Sequence, residues 1–289
     1  MIPAPFDYVR ATSVGDAIDA LSRDPEAKIL AGGHSLLPAM KLRVARPSVL
    51  VDIGRIQGLS GVREDGDDIV IGALTRHHDV ASSELLHDVL PVAAYAAAQV
   101  GDPAVRHVGT IGGSVAHGDP AGDMPAVLLA LDATFVVAGH GGATRTTPAD
   151  GFFTGLFETA IAPTEVLTEI RIRRPTDGRR DGPRDGPRDG PRDGWSFVKF
   201  NRRAQDWALV GVSAVRTGES VRIALTNMGL TPLRATAVEE LLAGGADPRD
   251  AAVHADEGTA PPDDAFASAE YRSALVKVLV ERALREALG

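Results

Sequence analysis

Apolar positions along the chain change period several times, and each change marks an element. Val14, Ala17, Ile18 and Leu21 share one helical face behind Ser13, a capping residue, with Asp16 in the first turn. Ala27–Leu30 is strand-like, Leu36, Leu37 and Met40 suggest a short helix ending near Arg43, and Ser48–Ile53 (SVLVDI) reads as a second strand. Strand, loop, helix, strand is a small βαβ unit. Its loop, Ala31–Ser35 (AGGHS), lies at the carboxyl end of the first strand, where open α/β sheets bind ligands. Asp68–Ala73 is another strand, and Ala73–Gly101 is mostly helical, with Pro91 placed to start an alanine-rich helix. Met124–Leu131 predicts a short buried helix. Thr134–Ala138 and Glu165–Ile172 are strands, the second alternating from Val166 to Ile172.

The last third changes character. Trp195–Phe200 is a strand, Ala208–Val215 and Ser220–Thr226 form a hairpin around RTGE, and Arg234–Leu242 is a helix. Gly244–Asp264 reads as polar loop. Tyr271, Leu275, Val278, Leu279 and Arg282 follow helical spacing behind Ser268. Before this region, DGPR occurs three times from Asp181 to Arg192, in a stretch with no apolar residue to bury, which predicts a mobile surface linker. The divisions follow: a βαβ lobe at 1–55, a second lobe at 56–175, the linker at 176–194 and a C-terminal region at 195–289.

The most informative stretch is Arg106–Ala126, RHVGTIGGSVAHGDPAGDMPA. Paired glycines weaken helices and strands alike, so Gly109–Ser114 reads as a tight loop whose backbone N–H groups can face an anion. With AGGHS it suggests two walls of one diphosphate site. Neither loop matches the Walker or Rossmann signature.

Composition narrows the function. The chain has 289 residues, enough for two or three domains, and a formal charge of −9 that argues against nucleic-acid binding. No apolar run approaches the roughly 20 residues of a membrane span, and no secretory signal is visible, which points to the cytoplasm. With no cysteine, the chain cannot itself ligate an iron–sulfur cluster through thiolates. His117, Asp119 and Asp123 lie close in sequence, but without cysteine or a helical H-x-x-x-H no metal is assigned to them. Ser35, Thr110 and Ser114 show no Ser-His-Asp logic, and no catalytic side chain is expected.

AGGHSLLPAMKLR, GTIGGSVAHGDPAGDMPA and VKFNRRAQDWALVGVSA, in this order and at these separations, resemble the flavoprotein (medium) subunits of molybdenum hydroxylases, the carbon monoxide dehydrogenase and xanthine dehydrogenase family. The resemblance covers nearly the whole chain apart from the repeat. It implies an α+β fold: a two-lobed FAD-binding domain followed by a C-terminal antiparallel sheet with helices. It implies FAD as cofactor, its pyrophosphate held by Ala31, Gly32, Gly33, His34 and Ser35 and by Thr110, Ile111, Gly112, Gly113 and Ser114. Asp123 matches the acidic residue that binds sugar-alcohol or ribose hydroxyls. Leu167 and Lys199 match positions near the isoalloxazine, and Val100 a further contact.

As partners the resemblance implies an iron–sulfur subunit, which relays electrons, and a molybdopterin-containing large subunit, which oxidises the substrate, in a dimer of heterotrimers. This subunit would pass the electrons to an external acceptor. Gln205 stands where the family usually has glycine, and Gly118 where it often has alanine. Two rival readings are a self-sufficient flavoenzyme of the same superfamily, such as the UDP-N-acetylenolpyruvoylglucosamine reductases, and an assembly protein that has lost its cofactor.

Overall fold

A computed structural model describes residues 2–175 and 194–289. The expected DGPR linker lies outside the described residues. The chain begins with a parallel three-stranded sheet of order β1-β3-β2. It comprises β1 (Asp7–Arg10), β2 (Lys28–Leu30) and β3 (Val49–Asp52), with helices α1 (Val14–Arg23) and α2 (Leu36–Lys41). Ser13 caps α1 in a full capping box with Asp16, and Ala17, Ile18 and Leu21 are buried as the helical spacing requires. β2, the AGGHS loop, α2 and β3 form the expected βαβ unit. β1 was not expected: all four of its residues are exposed, so it has no apolar alternation to read.

The second sheet is antiparallel, of order β4-β5-β10-β6-β7. β4 (Val62–Asp65) and β5 (Asp68–Gly72) open it. Six helices follow: α3 (His77–Ala81), α4 (Glu84–Val89), α5 (Pro91–Ala98), α6 (Pro103–Val108), α7 (Ile111–His117) and α8 (Asp123–Ala130). β6 (Thr134–Ala138) and β7 (Thr144–Pro148) come next, then the small hairpin β8 (Phe153–Gly155) and β9 (Glu158–Thr159), and β10 (Val166–Arg173) fills the centre. Every residue of α8 is buried. It packs on α5 on one side and on the C-terminal sheet on the other, which is why it reads apolar all round. Phe135 and Phe152, with ring centroids 4.3 Å apart, lie in the same core.

The segment Gly109–Ser114 is not a loop. From Ile111 it is helix α7, capped by Thr110, whose side chain accepts from the Gly113 amide. The glycines serve close approach rather than bending. A Cβ on Gly112 would lie 2.5 Å from both the Cβ and the carbonyl oxygen of Ala73, so only glycine lets α7 sit against the end of β5.

The C-terminal sheet is antiparallel, of order β11-β12-β13-β14: β11 (Gly194–Phe200), β12 (Val210–Thr217), β13 (Ser220–Thr226) and β14 (Leu233–Arg234). Helices α9 (Thr236–Ala243), α10 (Pro248–Ala252) and α11 (Ala269–Leu288) complete it, α10 falling inside the stretch expected to be loop. Ser268 caps α11 as expected. The buried face of α11 is shifted from the expected one. Tyr271 and Val278 are exposed, whereas Arg272, Val276, Leu279, Val280, Ala283, Leu284 and Ala287 are buried against β11 and β12.

Candidate cofactor-binding site

The two small-residue segments meet. A Cβ on Gly32 would lie 2.5 Å from the Val108 carbonyl oxygen and 2.8 Å from Gly109 Cα, so the first loop is pressed on the α6–α7 junction. Gly33 takes φ 71°, which turns the chain from β2 into α2, and its carbonyl accepts from the Leu37 amide. The amides of Gly32, Gly33, His34 and Ser35 find no acceptor among the described residues, and these residues are half-buried or exposed. They are donors ready for an anion.

The second segment differs from expectation in how it offers donors. The Ile111 amide donates to the Thr75 carbonyl, Gly112 to Ala73, Gly113 to the Thr110 hydroxyl and Ser114 to the Thr110 carbonyl. Its first four amides are therefore taken: those of Ile111 and Gly112 lock α7 to the β5 end, and those of Gly113 and Ser114 close on its own cap. What this wall leaves open is the Ser114 hydroxyl, which has no partner among the described residues, and a surface at Gly113 without a side chain. Leu167 is buried in β10 at an irregularity in its pairing with β6; the following carbonyl, of Thr168, accepts from the Ala73 amide beneath Gly112. The Val100 carbonyl accepts from Arg106, which ties α6 to the end of α5.

Asp123 and Lys199, 76 positions apart, form a buried ion pair. Lys199 Nζ donates to Asp123 Oδ2 at 2.7 Å and to the Gln99 carbonyl at 3.1 Å. Asp123 Oδ1 is buried and has no partner. Burial pushes the Asp123 carboxyl up to about 6, against the opposing pull of Lys199 and with a small push from Asp119. The sequence matched these two residues to separate parts of a cofactor and gave no sign of their contact.

His117 rests on the Phe157 ring, and Asp119 Oδ1 accepts from the Ala121 amide, so neither turns to Asp123 in a ligand set. Among the described residues no group of three or more His, Asp or Glu is placed to hold a metal ion, and no helix is long and apolar enough to cross a membrane.

Sequence reading also passed over His77. It lies buried behind Gly109, with Nδ1 unpartnered and a pKa lowered by burial, and further by Arg106 and His34, to about 4. It is neutral at physiological pH. The side-by-side His77 and His78 were its only signal.

Two family models match, one described as the FAD binding domain in molybdopterin dehydrogenase over residues 4–175, the other as the CO dehydrogenase flavoprotein C-terminal domain over residues 195–287. The chain belongs to the FAD-binding medium chains of the molybdenum hydroxylases. The carbon monoxide dehydrogenase medium chain of Hydrogenophaga pseudoflava is 42% identical, over 99% of this chain and 98% of that one. The glyceraldehyde dehydrogenase medium chain of Sulfolobus acidocaldarius is 36% identical over 99% of both chains. The carbon monoxide dehydrogenase structure from H. pseudoflava superposes with a TM-score of 0.90, at 42% identity over 99% of this chain and 98% of that one. Quinoline 2-oxidoreductase from Pseudomonas putida 86 gives 0.89 at 30% identity, over 100% and 98%.

The chain is thus an oxidoreductase subunit with FAD as its cofactor, and the α+β fold expected of the family is the one found. The residues present suit that cofactor. An unpartnered carboxylate oxygen accepts from hydroxyl groups, free amides suit a diphosphate, and glycines at the junction let it approach.

Proposed function

We propose that this medium chain receives electrons from an iron–sulfur subunit and delivers them to an external acceptor, in a cytoplasmic assembly whose molybdopterin-containing large subunit oxidises the substrate. FAD supplies storage for two electrons, with the protein orienting and tuning it. In this reading Ala31–Ser35 hold the pyrophosphate, Gly32–Ser35 through their free amides, and Thr110–Ser114 form the opposite wall. Asp123 accepts from a sugar-alcohol or ribose hydroxyl through Oδ1. Lys199, held at Oδ2, keeps a fixed positive charge near the isoalloxazine, and Val100 and Leu167 supply apolar contact. Residues 1–55 and 56–175 act as the two lobes around the cofactor, and residues 195–289 bring the lysine.

The observation that carries the assignment is the buried, unpartnered Asp123 Oδ1 beside a satisfied Oδ2. The test is FAD titration of the purified full chain, followed by desalting and a visible spectrum. Near-stoichiometric flavin is expected, and Asp123→Asn should weaken binding about 10- to 100-fold, the worth of a hydrogen bond to a charged acceptor. No retained flavin, even with partner subunits present, would overturn the reading. Turnover of NAD(P)H by the chain alone would replace it with that of a self-sufficient reductase.

A further inference from the structure

The two members of the buried pair belong to different parts of the fold, Asp123 to the start of α8 and Lys199 to β11. Asn227, one residue past β13, bonds to the neighbours of both. Its backbone is left-handed, with φ 63°, a conformation asparagine tolerates better than most residues. Its amide donates to the Pro120 carbonyl at 2.8 Å. Pro120 lies three residues before Asp123, in a turn closed by Asp119, which accepts from the amides of Ala121 and Gly122.

On the other side, Asn227 Nδ2 donates to the carbonyls of Ala208 at 2.8 Å and Leu209 at 3.3 Å. The Leu209 amide returns to the Phe200 carbonyl at 2.8 Å, and Phe200 follows Lys199 directly. The Leu209 carbonyl also accepts from Arg272 Nη1, and Arg272 is wholly buried, with Nη2 2.7 Å from Asp264. The sheet register repeats the link, since Lys199 pairs with Gly211 and Gly211 with Thr226, the residue before Asn227.

We propose that Asn227 is a positioning residue of the FAD site. By gripping the turn before the carboxylate and the strand end after the lysine, it sets their separation, so that Oδ2 is taken by Lys199 while Oδ1 is left without a protein partner. The proposal rests on the reading of Asp123 given above. Asn227 touches no cofactor in this scheme; it acts through Asp123.

The test is a double-mutant cycle on the full chain, read by FAD dissociation constants, with the thermal midpoint of the FAD-free protein recorded alongside. Asn227→Gly keeps the left-handed backbone and its amide but removes the carboxamide. Asn227→Asp keeps the size and turns the donor into an acceptor, and it carries the test if the glycine variant does not fold. Either should weaken FAD binding about tenfold in the wild-type background and less than about twofold when Asp123→Asn is already present. An equal loss in both backgrounds would mean general destabilisation and would overturn the proposal, as would no loss in the wild type. If Asp123→Asn alone leaves FAD binding unchanged, the reading of the site fails and the proposal fails with it. If Asp123→Asn weakens binding and the Asn227 variants do not, only the proposal fails.

Discussion

Replacing Lys199 by methionine isolates the electrostatics of the buried pair. The lysine side chain is 2% exposed and that of Asp123 6%, so solvent screens neither. Deleting one partner of such a pair leaves an uncompensated buried charge and costs about 3–5 kcal/mol. That cost applies only where Asp123 is ionised. The folded chain holds the Asp123 proton more tightly than the unfolded one, with a pKa of about 6 against the ordinary 3.8. In the wild type this group's contribution is therefore most favourable below pH 3.8 and is lost as the pH rises through 6.

Removing the lysine takes away the attraction that opposes burial, so the folded pKa rises further and the penalty extends above pH 6. At pH 5 the wild-type carboxyl is already largely protonated, and the variant loses two hydrogen bonds to neutral acceptors, about 1–2 kcal/mol in all. Urea unfolding of the FAD-free full chain at pH 5 and pH 8 should thus show a loss of about 3–5 kcal/mol at pH 8 and markedly less at pH 5. An equal loss at both pH values, or less than about 1 kcal/mol at pH 8, would refute the reasoning.

Two further outcomes follow from packing. Gly112→Ala should push α7 off the end of β5, since its Cβ meets backbone atoms of Ala73; a loss of about 1–3 kcal/mol in urea unfolding is expected, with weaker FAD retention after desalting. Arg272→Met removes a wholly buried guanidinium and its bond to the Leu209 carbonyl, while the part-exposed Asp264 carboxylate keeps the Phe266 and Ala267 amides; a loss of about 1–3 kcal/mol is expected, and a thermal midpoint unchanged from wild type would contradict it.

Much of the fold was legible because buried elements write their period into the chain. The αβ alternation around AGGHS, the two central strands β5 and β10, and the β12–β13 hairpin all bury apolar residues at the spacing their geometry demands. Three of the strands that were missed lie largely in solvent. β1 is exposed throughout, and β4 and β7 nearly so, which leaves no alternation to detect. α11 was found, but on a rotated face, because a buried arginine at position 272 breaks the rule that charge marks the outside. The glycines of α7 misled in the other direction. Their composition suggests bending, whereas Gly112 is used for contact, and that depends on Ala73, far away in sequence. For the same reason the Asp123–Lys199 contact left no trace in the chain: it exists only once the C-terminal sheet has been brought against α8.

That α11 backs β11 and β12 bears on when the site can come into being. Lys199 leaves the ribosome roughly 70 residues ahead of α11. At about 5–20 residues per second, on the order of 4–14 s of synthesis separates the lysine from the helix that buries the other side of its strand. Residues 1–175 can meanwhile have assembled both small-residue walls, with the Asp123 carboxylate still waiting for its ammonium partner. On the reading proposed above, the Asp123–Lys199 pair is therefore a late addition to the site, completed only after the two small-residue walls and dependent on α11 reaching its strand.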